Sequence, residues 1–189
     1  MAKLIYTALT SLDGYVADKN GKFDWAEPDE EVHTFVNDLL RPVGTHIYGR
    51  RMYEVMAAWQ TMQTRGQAQF IANFADLWRS AEKVVYSTSL EVASTPRTWI
   101  ERVFDPEAIR LMKASAQRDL TISGPTLAAH AFRADLVDDC HLFIAPIMVG
   151  GGLSAFPRDV LLHLALQQER RFSNGTVYLH YRSTTRRAV

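Results

Sequence analysis

Three breaks in the sequence follow runs of strand-forming residues, and each could bring backbone amides close to an anion. The first is Gly49-Arg50-Arg51, directly after Thr45-His46-Ile47-Tyr48. A glycine at the end of a strand lets a ligand approach the backbone. Two arginines beside it offer charge-assisted, bidentate contacts to a phosphate. The same segment also reads as an ordinary strand-to-helix turn with solvated arginines. The second break is Ser123-Gly124-Pro125-Thr126, after Asp119-Leu120-Thr121-Ile122. Gly124 has no Cβ to block approach, Pro125 suits the first helical turn, and a helix N-terminus attracts anions. It too has a plain reading, as a βα turn. The third break is Gly150-Gly151-Gly152-Leu153-Ser154-Ala155. Spelled G-x-G-x-x-A after an apolar strand, it mimics a dinucleotide fingerprint. A fingerprint should open a βαβ unit with further parallel strands, but only residues 156–189 follow, and they include a hairpin signal. A glycine-rich loop lining a pocket is the expectation there.

Other chemistries find little footing. The six histidines form no HxxxH pair and Cys140 is the only cysteine. No metal site and no disulfide framework are expected, and a lone thiol in an apolar stretch reads as buried and inert. There is no G-x-S-x-G elbow and no G-x-x-x-x-G-K-[ST] loop. Arg170, Arg171, Arg182, Arg186 and Arg187 read as a solvated strand face, with anion binding the lesser alternative. The 21 Lys and Arg balance the 21 Asp and Glu, so a nucleic-acid partner is not expected. The longest apolar run, Leu142 to Val149, is far too short to cross a bilayer. The N-terminus lacks the apolar core of a secretory signal. A cytoplasmic location without membrane contact is the expectation.

The elements that must hold these breaks follow from periodicity. Residues 2–10 read as a buried strand, broken by Ser11-Leu12-Asp13-Gly14. Pro28 can open a helix, with Asp29, Glu30 and Glu31 at its positive end. Val32, Phe35, Val36, Leu39 and Leu40 repeat at helical spacing until Pro42 and Gly44 stop it. Strand 45–48, helix 51–59, a polar loop 61–69 and helix 70–81 follow. Strands at 84–87 and 99–103, helix 106–117, strand 120–123 and helix 125–134 come next. Residues 136–149 are strand-like. Runs 166–172 and 176–184 flank Asn174-Gly175, a strong hairpin signal. With 189 residues, this pattern predicts a single α/β domain with a mainly parallel sheet and an antiparallel end.

Taken in order, Ser11–Ala17, Gly21, Asp24-Trp25, Gly49–Glu54, Val85–Leu90, Ile122–Asp139 and Ala145–Phe156 resemble the dihydrofolate reductase-like superfamily. The resemblance is nearest to small bacterial proteins related to the reductase domain of riboflavin biosynthesis, and spans about residues 2–184. It implies a three-layer α/β/α sandwich around a mixed, mainly parallel sheet with antiparallel C-terminal strands. It implies NADPH as cofactor. Gly49, Arg50 and Arg51 then match the segment at the cofactor phosphates, the arginines reading the adenosine 2′-phosphate. Ser87 and Thr88 match the strand end near that adenosine. Ser123, Gly124, Pro125, Thr126 and Leu127 match the turn that cradles the pyrophosphate, with Ser123 where the family often has a first glycine. Asp13, Tyr15 and Trp25 match the segment flanking nicotinamide and substrate. Asp29 or Glu30 lies where folate reductases carry a substrate-gripping carboxylate, although an acidic helix start also simply complements the helix dipole.

The implied activity is NADPH-dependent reduction of a small heterocyclic (pterin- or aminopyrimidine-like) or carbonyl substrate. Asp13 is the candidate for holding the substrate or relaying a proton, a task that would need its pKa raised. Its local alternative is turn formation before Gly14. Two rival readings stay open: a cofactor-binding or interaction domain of the same fold without turnover, and an α/β domain gripping some other phosphate. A homodimer is expected from the family and from aromatic residues such as Trp59, Trp78 and Phe156 that could exceed the needs of one core.

Overall fold

The computed structural model describes residues 1–184. Its elements run β1 (Leu4–Ser11), β2 (Tyr15–Asp18), a 3-10 turn (Asp24–Ala26), α1 (Glu30–Leu40), β3 (Val43–Gly49), α2 (Arg50–Met56), α3 (Ala58–Thr61), α4 (Gln69–Ser80), β4 (Glu82–Tyr86) and β5 (Thr98–Glu101). They continue with α5 (Pro106–Ser115), β6 (Asp119–Ser123), α6 (Pro125–Arg133), β7 (Asp139–Ala145), β8 (Gly152–Ser154), β9 (Leu164–Arg171) and β10 (Val177–Ser183). Eight strands form one sheet in the order β5-β4-β3-β6-β1-β7-β10-β9. The first six are mutually parallel, and β10 and β9 are antiparallel. The mixed, mainly parallel sheet with antiparallel C-terminal strands is the arrangement that the motifs implied.

Alternation along the central strands builds two cores. Leu4, Tyr6 and Ala8 of β1, Ile47 of β3, Val84 of β4 and Ile122 of β6 pack with Ile109 of α5 and Ala128, Ala131 and Phe132 of α6. On the opposite face, Val32 and Phe35 of α1 meet Phe143, Phe172 and Tyr178. Trp78 of α4 sits on that face too, its indole N–H donating to the Tyr48 hydroxyl at 3.2 Å. Strands buried on both faces read as nearly continuous apolar runs, as here.

Several local expectations change. Pro28 does not open α1. Asp29 is the N-cap, its carboxylate accepting from Val32 N at 3.0 Å. The helix expected over 51–59 divides at Ala57 into α2 and α3. The strand expected over 136–149 shrinks to β7, because residues 146–151 turn away to meet the N-terminal loop. Gly152 opens β8, which pairs antiparallel with β2. Neither short strand has a clear apolar period, so only the pairing defines them. The Asn174-Gly175 hairpin forms, with Gly175 at φ 86°.

Arg170, Arg171 and Arg182 are exposed on the C-terminal strands, as expected of a solvated face, but two of them are also engaged. Arg170 bonds Glu31 at 2.8 Å and lies over the rings of Phe35 and Phe172. Arg182 reaches the buried Asp139. Arg186 and Arg187 lie outside the described residues. The aromatics proposed for an interface pack internally: Trp78 is 1% exposed, Trp59 meets Phe74 and Phe156 meets Tyr6. Among the exposed leucines, Leu161, Leu164 and Leu166 lie at or near the edge strand β9. Cys140 is buried, and burial pushes its thiol up to about 12. Among the described residues, no helix is long and apolar enough to cross a membrane. No cluster of three or more His, Cys, Asp or Glu there could hold a metal ion.

Candidate functional site

The C-terminal ends of the parallel strands carry most of the singled-out residues. Tyr48 of β3 pairs with Ser123 of β6, so the turns at Gly49 and Gly124 lie side by side. Each turn packs on the helix that follows the other. A Cβ on Gly49 would sit 3.8 Å from Leu127 Cβ of α6, and one on Gly124 would sit 3.7 Å from Met52 Cβ of α2. Gly124 adopts φ 92°, a conformation that side chains resist. It caps α6 without any side-chain cap. Pro125 has no N–H, so by helix geometry the Thr126 and Leu127 amides lack intrahelical acceptors.

Beside this turn, Arg51 is exposed and its side chain makes no hydrogen bond or ion pair among the described residues. Arg50 is engaged: Nε bonds Glu54 and Nη1 donates to the Ser89 hydroxyl, both at 2.8 Å. Ser87 directly follows the neighbouring strand, whose last residue, Tyr86, pairs with Gly49. The Ser87 hydroxyl accepts from Ser89 N and Leu90 N at 3.2 and 2.9 Å. Thr88 is exposed at the tip. This donor set suits a dinucleotide phosphate: uncapped helix amides, exposed hydroxyls on Thr88 and Thr126, and an unpaired guanidinium.

Sequence reading missed the residues that hold the 87–95 loop. Arg102 Nη1 donates to the Ser87 and Leu90 carbonyls at 2.9 and 2.7 Å. The Tyr53 hydroxyl of α2 contacts the Ser94 and Thr95 hydroxyls at 3.1 and 3.0 Å. These partners are far apart in the chain, and the local pattern carries no signal for them.

The N-terminal segment forms the other wall. The Asp13 carboxylate accepts from Val149 N at 3.2 Å and Gly150 N at 2.8 Å. Its pKa is lowered, chiefly by the Ser11 hydroxyl and further by those two amides, against a smaller opposing push from burial. Asp13 is thus an ionised clamp joining the 11–14 turn to the glycine-rich loop. Of its two expected tasks, supplying a proton does not fit this environment. Tyr15 is half-buried on β2 opposite Ser154. Trp25 is half-buried, with its indole N–H on the Lys22 carbonyl at 3.1 Å. The three acids at the start of α1 separate by role. Asp29 caps the helix. Glu31 grips Arg170 and both the amide and the hydroxyl of Ser173. Glu30 is exposed and keeps its acceptors free among the described residues.

Comparison with known proteins agrees with this architecture. A family described as the RibD C-terminal domain matches residues 2–178. An uncharacterised Bacillus subtilis protein, YyaP, is 25% identical over 184 residues, covering 95% of this chain and 94% of that one. A Shewanella sp. PV-4 protein provisionally assigned to riboflavin biosynthesis superposes with TM-score 0.76 at 22% identity, covering 98% of this chain and 100% of that one. The Thermotoga maritima diaminohydroxyphosphoribosylaminopyrimidine deaminase/5-amino-6-(5-phosphoribosylamino)uracil reductase superposes with TM-score 0.68 at 16% identity. The match covers 96% of this chain and 56% of that larger one.

Proposed function

The chain belongs to the RibD C-terminal domain family, and from that premise we propose that it is an NADPH-dependent reductase of a small heterocyclic substrate. A pterin- or aminopyrimidine-like ring is the preferred class, with a small carbonyl compound the alternative. The observation that carries this reading is the reciprocal packing of the Gly49 and Gly124 turns at adjacent strand ends, with an unpaired Arg51 beside them. Ser123, Pro125, Thr126 and Leu127 shape the pyrophosphate turn, Arg50 and Arg51 meet the 2′-phosphate, and Ser87 and Thr88 border the adenosine. When bound, the dinucleotide supplies a hydride from its nicotinamide.

The protein's share is placement and exclusion of water. Tyr15 and Trp25 flank the substrate. Glu30 accepts N–H groups of an aminopyrimidine edge, for which the two oxygens of a carboxyl group are well matched. Asp13 keeps the 11–14 turn against residues 149–150 and so shapes that wall. The proton that accompanies reduction comes from water.

Calorimetric titration with NADPH and NADH tests this. NADPH should bind more tightly, and Arg50→Ala or Arg51→Ala should each remove much of the preference. If neither nucleotide binds, the proposal fails. A second reading, cofactor binding without turnover, is favoured by one observation: the carboxylate expected to relay a proton is ionised and tied to backbone. Tight NADPH binding with no oxidation across a pterin, aminopyrimidine and quinone panel would select it.

A further inference from the structure

The two arginines after Gly49 are not equivalent. Arg51 is unpaired among the described residues, whereas Arg50 is held from two sides, by Glu54 Oε1 on Nε and by Ser89 Oγ on Nη1. Arg50 Nη2 makes no hydrogen bond among the described residues. The Arg50–Glu54 pair is about half exposed on both sides, so it is weak and a dianionic phosphate can compete with it. The Ser89 contact differs because Ser89 is itself fixed. Its amide donates to Ser87 Oγ at 3.2 Å, and Leu90 N donates to the same oxygen at 2.9 Å. The carbonyls at the two ends of this turn, Ser87 and Leu90, both accept from Arg102 Nη1. A line of hydrogen bonds therefore runs from Arg102, through the 87–90 turn, to Ser89 and the Arg50 guanidinium.

We infer that Arg102 and Ser89 are positioning residues that set the preference for a 2′-phosphorylated dinucleotide by presenting the Arg50 guanidinium. Neither residue needs to touch the nucleotide. Their effect is to keep Arg50 oriented before binding, so that less side-chain freedom is lost when the phosphate arrives. The inference rests on the NADPH reading above and names what that reading needs from this chain.

The test compares wild type, Ser89→Ala, Ser89→Thr, Arg102→Gln and the Ser89→Ala/Arg102→Gln double variant. Dissociation constants for NADPH and NADH are measured by calorimetry, and amide hydrogen exchange is measured on the nucleotide-free proteins. Ser89→Ala should weaken NADPH by up to about 10-fold, the cost of ordering one long side chain on binding, and leave NADH within about twofold. Ser89→Thr keeps a hydroxyl and should keep the preference. Arg102→Gln should speed exchange at the Ser89 and Leu90 amides and weaken NADPH by a similar factor. The double variant should be little worse than either single one, because both act on one line of contacts.

An unchanged NADPH/NADH ratio in Ser89→Ala, a variant at an exposed position that should fold normally, overturns the inference. So does equal loss of both nucleotides, the mark of a merely structural role. Tighter NADPH binding in Ser89→Ala would also overturn it, by showing that Ser89 holds Arg50 back. Wild-type protein without a preference for NADPH overturns both the reductase reading and this one, and is told apart because it appears before any variant is made.

Discussion

Gly152 stands where no other residue fits. A Cβ there would lie 2.1 Å from the Ala17 carbonyl oxygen and 2.6 Å from Asp18 C, and both are backbone atoms that cannot swing aside. Its φ of 139° adds strain for any side chain. Gly152→Ala should therefore break the β2–β8 pairing and cost about 1–3 kcal/mol. Urea unfolding measures the loss, and amide exchange at Asp18 and Ser154 locates it. A midpoint within error of wild type would show that the pairing is not needed. At the same scale, Asp13 was legible as a residue of interest but not in its task. Its partners lie 136 and 137 residues away, and no local pattern announces them.

Helix α1 shows how one element divides its acids between stability and chemistry. Asp29 bonds Val32 N, so Asp29→Ala should cost about 1 kcal/mol through the lost N-cap. Glu30→Gln should stay within about 0.5 kcal/mol of wild type while raising the KM of an aminopyrimidine substrate. Chemical unfolding and steady-state kinetics separate the two residues. If Asp29→Ala alone raises KM and Glu30→Gln does nothing, the carboxylate has been misassigned. The helix itself was legible, since Val32, Phe35, Val36 and Leu39 repeat at its period. Its first residue was not, because proline suits both the first turn and the position ahead of a cap.

Across the whole molecule, the α1 face of the sheet buries imidazoles that the fold keeps neutral. His46 lies between β3 and β6, its Nδ1 2.7 Å from Thr121 Oγ1. Burial, with the Lys83 and Arg118 charges, lowers its pKa to about 4. His141 contacts the Tyr178 hydroxyl at 2.7 Å and stacks on His180. Burial and the His180 charge lower it to about 4, against the opposing Asp139 charge. Unfolded, each takes up a proton near pH 6.5. Between about pH 6.5 and 4 the unfolded chain binds more protons, so stability falls as pH falls, by up to about 1.4 kcal/mol per pH unit for each histidine. Asp139 adds a lower step. Burial raises its pKa, but hydrogen bonds from Lys3 and His180 outweigh that and hold it below the usual carboxylate range. Its contribution is present above the ordinary value and lost below it. The urea midpoint measured from pH 7 to pH 4.5 should drop steadily, and a flat profile would sink this account.

What is settled within a few residues was legible in the order of the amino acids. Strand and helix periods, the hairpin at Asn174-Gly175, the glycine turns at 49 and 124, and the family they spell are set by backbone freedom and side-chain spacing. Which of these segments meet depends on the folded sheet. Insertion of β6 between β3 and β1 puts Gly49 beside Gly124. The return of β5 beside β4 brings Arg102 under the turn that holds Ser89 and, through it, Arg50. The physical reason is the separation of the partners: Arg50 and Ser89 are 39 residues apart, and Asp13 and Gly150 are 137 apart. Such contacts arise from burying both faces of one sheet, a condition on the whole chain that no short segment carries.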